Sequence, residues 1–296
     1  MTIYDSAAAL PSGFVHTLAS MPPPTGVLMC PPRHFAVLDV KNPFMAEHIG
    51  ATDASRAQEQ WNAVREVFQS CNMTAPLAEP LPDREDMVFC ANPIFPGVRS
   101  DGEKICILSN MRYESRQREV VAYVDQLGKL GYEFHSVPAG IGFEGGGDAI
   151  WHPRRRLIWG GCGPRSRPEA YPHVAEAFDT PVLRLRLETD HFYHLDTCLC
   201  GLDERTALLY PSALVDESVE LVRAVFQDVI EVPHAEALQG MACNACAVGD
   251  RNVVLQKGNE HTSGALRERG FVVHEVATDE FIKSGGSVYC MKCYLW

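Results

Sequence analysis

The sequence predicts an α/β protein. Short β-rich runs alternate with longer amphipathic runs, the alternation recurs about five times, and no linker-like stretch interrupts it beyond residue 26. The composition agrees: 46% hydrophobic and 22% charged residues among 296 is the balance of a packed globule, not of a disordered or fibrous chain. Residues 1–26 read as an N-terminal extension and 27–296 as a single domain.

The elements follow in order. Gly26 to Val40 holds two short apolar segments around a Pro-Pro turn. Ala54 to Ser70 predicts a helix, because Trp61, Val64, Val67 and Phe68 fall on one stripe and the other face is polar. Met87 to Ala91 and Ile105 to Ser109 read as strands. Ser115 to Leu130 predicts a second amphipathic helix, closed by Gly131 where a C-terminal cap belongs. Strand-like runs then come at Arg156 to Trp159, which ends in Gly160-Gly161, and at Ala207 to Tyr210. A helix is expected over Asp216 to Phe226. A strand at Asn252 to Leu255, a helix near Thr262 to Arg269 and a strand at Phe271 to Val276 close the series. Periodicity alone is compatible with a cyclic or a sandwich arrangement of these units.

Charge and cysteine content narrow the function classes. Against 26 Lys and Arg stand 38 Asp and Glu, a net charge of -12 that repels phosphate backbones and anionic lipid, so no nucleic-acid or membrane partner is expected. Residues 6–32 carry no Lys, Arg, Asp or Glu, yet Pro11, Pro22, Pro23, Pro24, Pro31 and Pro32 break the stretch. Asp5 is the one charge ahead of it. Neither a membrane span nor a secretory leader is expected, and a cytoplasmic location is. The 11 cysteines are an odd number at modest density, which fits reduced thiols, one of them reactive or metal-bound, better than a disulfide framework.

Four clusters carry chemistry. In Glu144-Gly145-Gly146-Gly147-Asp148 three glycines hold an acid on either side, the pattern of a glycine-rich turn or of a close-approach site for a cation or a proton. In Asp190-His191-Phe192-Tyr193-His194-Leu195-Asp196 an extended backbone would put His194 and Asp196 on one face, a base beside its carboxylate. Gly285-Gly286-Ser287-Val288-Tyr289-Cys290 permits a tight turn that presents a thiol. Asp86 and Asn92 bracket the strand-like Met87 to Ala91 and share a face. Cys243-x-x-Cys246 and Cys290-x-x-Cys293 raise structural zinc as an alternative, although about 45 residues between pairs exceed the usual spacing of about 15–20. Each of the first four also has a plain structural reading as a turn, a hydrogen-bonded pair or a buried thiol.

Taken in order, these motifs resemble the guanidino-group-modifying superfamily, which includes dimethylarginine dimethylaminohydrolase, arginine deiminase, arginine dihydrolase and the amidinotransferases. The resemblance runs from about Cys30 to Cys290. It implies a five-bladed α/β propeller (a pentein) of ββαβ-type pseudo-repeats. It also implies a cysteine-dependent hydrolase that cleaves guanidino C–N bonds of free arginine or a methylarginine, with no cofactor and no metal. Cys290 matches the nucleophile, His194 the acid/base and Glu144 the carboxylate that grips the guanidinium; Asp148, Asp86, Asn92 and Asp196 fall among the substrate-contacting positions. Two departures, Asn92 in place of a carboxylate and a glycine run one residue longer, join Asn42 in Lys41-Asn42-Pro43-Phe44-Met45 in resembling the bacterial branch that contains arginine dihydrolase, whose product is ornithine. Arg112 lies where that branch has an arginine suited to the substrate α-carboxylate. Since the sequence ends shortly after the cysteine motif, the extra C-terminal domain of some dihydrolases is not expected. An amidinotransferase and a zinc-stabilised binding protein remain the alternatives, and a homo-oligomer is compatible with all three.

Overall fold

The computed structural model describes residues 2–296. The chain forms five small sheets on one plan: two antiparallel strands, a helix, and a strand returning parallel to the second. In the first sheet Gly26–Leu28 lies antiparallel to Cys293–Leu295, the helix is Ala54–Ser70, and residues 74–77 return through the parallel bridges Gly26–Thr74 and Met29–Leu77. The second comprises Ile94–Val98, Lys104–Leu108, the helix Glu114–Lys129 and Glu133–Ser136. The third comprises Ala149–Trp151, Ile158–Cys162, the helix Tyr171–Phe178 and Val182–Arg186, with Ile3–Tyr4 added at its edge. Leu199–Gly201, Thr206–Leu209, the helix Asp216–Val225 and Asp228–Glu231 make the fourth. Cys246–Val248, Asn252–Gln256, the helix Glu260–Glu268 and Val272–Val276 make the fifth. The architecture is mixed α/β, as the alternation predicts.

The helices form where their sequences say they should. Asp53 caps Ala54–Ser70, its Oδ1 accepting from the Ser55 and Arg56 N–H groups at 3.0 Å each. Ala57, Trp61, Val64 and Phe68 are buried from it, packing with Phe35, Phe89 and Phe281. That packing, more than intrinsic propensity, holds a helix of this length. After Glu114–Lys129, Gly131 takes the left-handed conformation (φ 81°) and the Tyr132 N–H closes back on the Leu127 carbonyl at 3.2 Å.

The expected strand at Met87 to Ala91 is absent: residues 85–93 run through successive turns. The run is apolar because it is buried, but several of its carbonyls go to side chains in place of a sheet partner. Tyr123 Oη donates to the Met87 carbonyl, and Arg116 Nη2 donates to those of Asp86 and Phe89 at 3.4 and 3.3 Å. The true strand follows at Ile94–Val98, disguised by Pro96 and Gly97. Gly97 is required there, since a Cβ would stand 2.5 Å from the Trp151 ring.

Between the third and fourth sheets His152 is fully buried, its Nδ1 accepting from Trp159 Nε1 at 3.3 Å and its ring lying against Phe226. Burial pushes its pKa down to about 4. The unfolded chain then binds more protons than the folded one between about pH 6.5 and pH 4, so this residue makes stability fall as pH drops through that window. The expected loss is about 2 kcal/mol by pH 5. Urea unfolding at pH 7 and pH 5 should show the native protein losing that much more than His152→Phe; equal losses would discard the assignment.

Candidate active site

The site is assembled from one position in each unit, just ahead of the strand that opens its sheet. Asn92 precedes Ile94–Val98, Glu144 precedes Ala149–Trp151, His194 precedes Leu199–Gly201, Asn244 precedes Cys246–Val248, and Cys290 precedes Cys293–Leu295. These positions recur at intervals of roughly fifty residues, so five distant segments meet. Asn92 and Cys290 line a small cavity with Lys41, Asn42, Asp86 and Tyr193, and Arg116 and Arg165 stand at its wall. His194 and Asn244 touch these two side chains from behind, and Glu144 touches His194.

Cys290 is buried. Its Sγ–H donates to Asp196 Oδ2 at 3.1 Å, and Asn244 Nδ2 donates to the sulfur at 3.2 Å. Asn244 is itself fixed, because its Oδ1 accepts the backbone N–H groups of Ser287 (2.9 Å) and Cys290 (3.2 Å). Burial and then the Asp196 charge push the thiol pKa well up, and burial likewise raises Asp196 to about 7.

Glu144 is fully buried and yet ionised. Its Oε2 accepts from His194 Nε2 at 2.7 Å and from Arg165 Nη1 at 2.8 Å, and its Oε1 accepts the Arg112 N–H at 2.9 Å. Burial opposes the charge, but Arg165 and the His194 bond outweigh it and hold the carboxyl well below the ordinary range. Asp148 is raised to about 6, chiefly by burial; its Oδ1 accepts the Leu195 N–H at 3.1 Å, which ties the glycine segment to the histidine segment. The three glycines form one helical turn, Gly145–Asp148, in place of an open turn. A Cβ on Gly147 would stand 2.5 Å from Asn92 Nδ2 and 3.0 Å from His194 Nδ1, so the bare backbone is what lets these two side chains meet.

Other expectations need adjustment. His194 is extended, but Asp196 lies in a 3-10 turn, so the two do not share one strand face: the imidazole reaches Glu144 and the carboxylate reaches the thiol. Asp86 and Asn92 both line the cavity, brought there by turns. Asn42 lines it too, its Nδ2 donating to the Ser284 carbonyl at 2.9 Å while its Oδ1 caps a short 3-10 helix at Phe44. Arg112 contributes its backbone to Glu144, whereas its exposed side chain reaches the Pro164 carbonyl at 3.1 Å in an open groove shared with Arg165 and Arg167. The cavity is less acidic than its carboxylates suggest: Asp86 already pairs with Lys41 at 3.1 Å and Glu144 with Arg165.

Arg165, Arg116, Lys41 and Asn244 escape the sequence reading. Only Asn244 leaves a trace, as the one polar side chain between cysteines in Cys243-Asn244-Ala245-Cys246. Arg165 lies between the rings of Tyr113 and Tyr193, 4.8 and 4.9 Å from their centroids. The two Cys-x-x-Cys pairs are not gathered into a metal site. Cys246 bonds the Tyr294 hydroxyl at 3.0 Å, Cys290 bonds Asp196, and among the described residues no group of three or more His, Cys, Asp or Glu is placed to hold an ion. All eleven thiols are free. No helix among the described residues is long and apolar enough to cross a membrane.

Five mixed α/β units meeting at a thiol, an imidazole and buried carboxylates place the chain in the class of guanidino-group-modifying proteins. It belongs to the family described as N,N dimethylarginine dimethylhydrolase, eukaryotic, whose model matches residues 32–295. The bifunctional arginine dihydrolase/ornithine cyclodeaminase ArgZ of Synechocystis is 34% identical over 267 residues, covering 90% of this chain but 37% of its own. The chain therefore spans little more than a third of that relative's length. The dimethylarginine dimethylaminohydrolase of Mycobacterium tuberculosis is 34% identical over 262 residues, 88% of this chain and 83% of the relative. Among solved structures, the product-bound N-terminal domain of ArgZ, an arginine dihydrolase, superposes with a TM-score of 0.86 at 33% identity, over 91% of this chain and 97% of that domain.

Proposed function

We propose that this chain is a cysteine-dependent hydrolase of free arginine or a methylarginine, built on residues 27–296 as a closed five-bladed α/β propeller. The observation that supports the reading is a buried thiol, Cys290, lining a small cavity with Asn92, whose amide also contacts an imidazole, His194, that is held by an ionised carboxylate, Glu144. A guanidinium is a poor electrophile, so it needs carboxylates to bind it and a strong nucleophile to attack its central carbon. Asp86 and Glu144 supply the former, and Asp196 orients the thiol. A guanidinium cation beside the sulfur favours the thiolate electrostatically, opposing the effect of burial and of Asp196.

In the reaction, His194 takes up the Cys290 thiol proton as the Sγ–C bond forms and passes it to the departing amine as the C–N bond breaks, leaving a thiouronium. Water, deprotonated by the same histidine, then adds to that carbon, and the sulfur leaves to give a ureido product. Arg165 opens onto both the cavity and the outer groove, and with Arg112 it makes a cationic mouth for the α-carboxylate. Asn92, an amide where methylarginine hydrolases carry a carboxylate, supports a second hydrolysis to ornithine over release of citrulline.

Incubation with arginine, with dimethylarginine, and with arginine plus glycine tests the proposal by its products. Ornithine with ammonia and carbon dioxide from arginine is the expected outcome. Citrulline with dimethylamine would move the assignment to methylarginine hydrolysis, and guanidinoacetate would move it to amidino transfer. Turnover of none of them would reject the reading.

A further inference from the structure

Behind the cavity lies a charge that the proposed reaction does not use. Arg116, on the helix Glu114–Lys129, is 5% exposed. Its Nε and Nη2 donate to Glu119 Oε2 at 3.0 and 2.9 Å, and its Nη1 donates to Asn92 Oδ1 at 2.9 Å. A guanidinium has donors only, so the Asn92 atom that faces it must be the oxygen. The amide nitrogen is thereby turned the other way, to 3.4 Å from His194 Nδ1. On the far side of the ring, Nε2 stands 2.7 Å from Glu144, which is acceptor-only when ionised. The two neighbours agree: Nε2 carries the proton and Nδ1 accepts.

We propose that Arg116 is a positioning residue that, through the Asn92 amide, presents a donor to His194 Nδ1 and to the cavity, and so keeps the histidine proton on the nitrogen facing Glu144. The proposal rests on His194 being the acid/base of the reaction above. A purely structural role is the competing account, since Arg116 also ties the helix to the turns at residues 85–93 through the carbonyls of Asp86 and Phe89. The two accounts differ in what happens at the ring. If Arg116 only holds the helix, the proton pattern of His194 is indifferent to it. If Arg116 orients the amide, losing its planar fork lets Asn92 turn over and set a carbonyl oxygen against Nδ1, an acceptor facing an acceptor, which the ring can meet only by taking a proton there. Gly147 leaves the amide and the ring in direct contact, with no side chain between them to buffer the exchange.

The test uses full-length protein labelled with 15N-histidine, without ligand at pH 7, with the His194 signals identified by their loss in His194→Gln. The parent should show a protonated Nε2 and an unprotonated Nδ1. Arg116→Lys keeps the charge but not the fork. It should remain folded by circular dichroism while the Nδ1 signal moves towards the protonated position. Its kcat for arginine should fall roughly tenfold to a hundredfold with KM changed less than about threefold. Asn92→Ala should lose as much, and adding Arg116→Lys to it should cost nothing further, because the arginine acts through the amide. A folded Arg116→Lys with the parent's His194 signals, or a double variant slower by the full Arg116→Lys factor, overturns the proposal. Should Arg116→Lys fail to fold, Asn92→Asp takes its place. There Arg116 holds the carboxylate, neither oxygen can donate, and Nδ1 should gain a proton; an unchanged Nδ1 again overturns the proposal. A parent without turnover would instead fault the catalytic reading, while the ring signals would still report on Arg116.

Discussion

Cys290→Ser is expected to lose turnover by at least about 10^4-fold while keeping the fold and the ability to bind arginine. Sulfur acts here as the atom that can become an anion beside an arriving cation; a hydroxyl in the same place is a far weaker acid and stays protonated. The structural cost should be small. Serine still donates to Asp196 and still accepts from Asn244, whose orientation depends on the Ser287 and Cys290 backbone N–H groups and not on the side chain. The urea midpoint should therefore move by less than the equivalent of about 1.5 kcal/mol. Calorimetric titration should still detect arginine, since Asp86, Glu144 and Arg165 are untouched. Activity above about a tenth of the parent's would remove Cys290 from the reaction and send the search to the other ten thiols, none of which faces the cavity with a carboxylate against it.

What was legible in the sequence follows from how local each signal is. Ala54–Ser70 is legible because its apolar stripe lies wholly within the helix. Ile94–Val98 did not, because proline and glycine mask a strand whose partner and packing lie elsewhere. The same division runs through the site. Glu144, Asp148, His194, Asp196 and Cys290 could be picked out because each sits in a short run of reactive or conformationally special residues. Arg165 gives no such sign: its function is defined by Glu144, by two tyrosine rings, and by the Lys41 carbonyl 124 residues earlier in the chain. Arg116 looks in sequence like an ordinary polar helix residue, and only its burial against Glu119 and Asn92 reveals otherwise. Asp86 and Asn92 both line the cavity, but turns and not the strand that the sequence suggests aim them inward.

Glu144→Gln should differ from Cys290→Ser in kind, because it damages stability and turnover together. One carboxylate neutralises Arg165, receives His194 and accepts the Arg112 backbone. An amide of the same shape leaves the buried guanidinium without a counter-charge, and it must either turn its NH2 towards donors or break the Arg112 contact. Removing one partner from a buried ion pair costs about 3–5 kcal/mol, and that is the expected fall in unfolding free energy at pH 7. The pH dependence separates this from a generic packing defect. The folded Glu144 carboxyl is held well below its unfolded value, so its contribution is complete above about pH 4.5 and is lost as pH falls through the folded value. The stability gap between parent and Glu144→Gln should therefore be constant from pH 7 to about pH 5 and narrow below pH 4.5. A gap that persists undiminished at pH 3.5 would mean the glutamate fills space without carrying charge, and the reading of Glu144 as an ionised anchor for both the histidine and the substrate would fail with it.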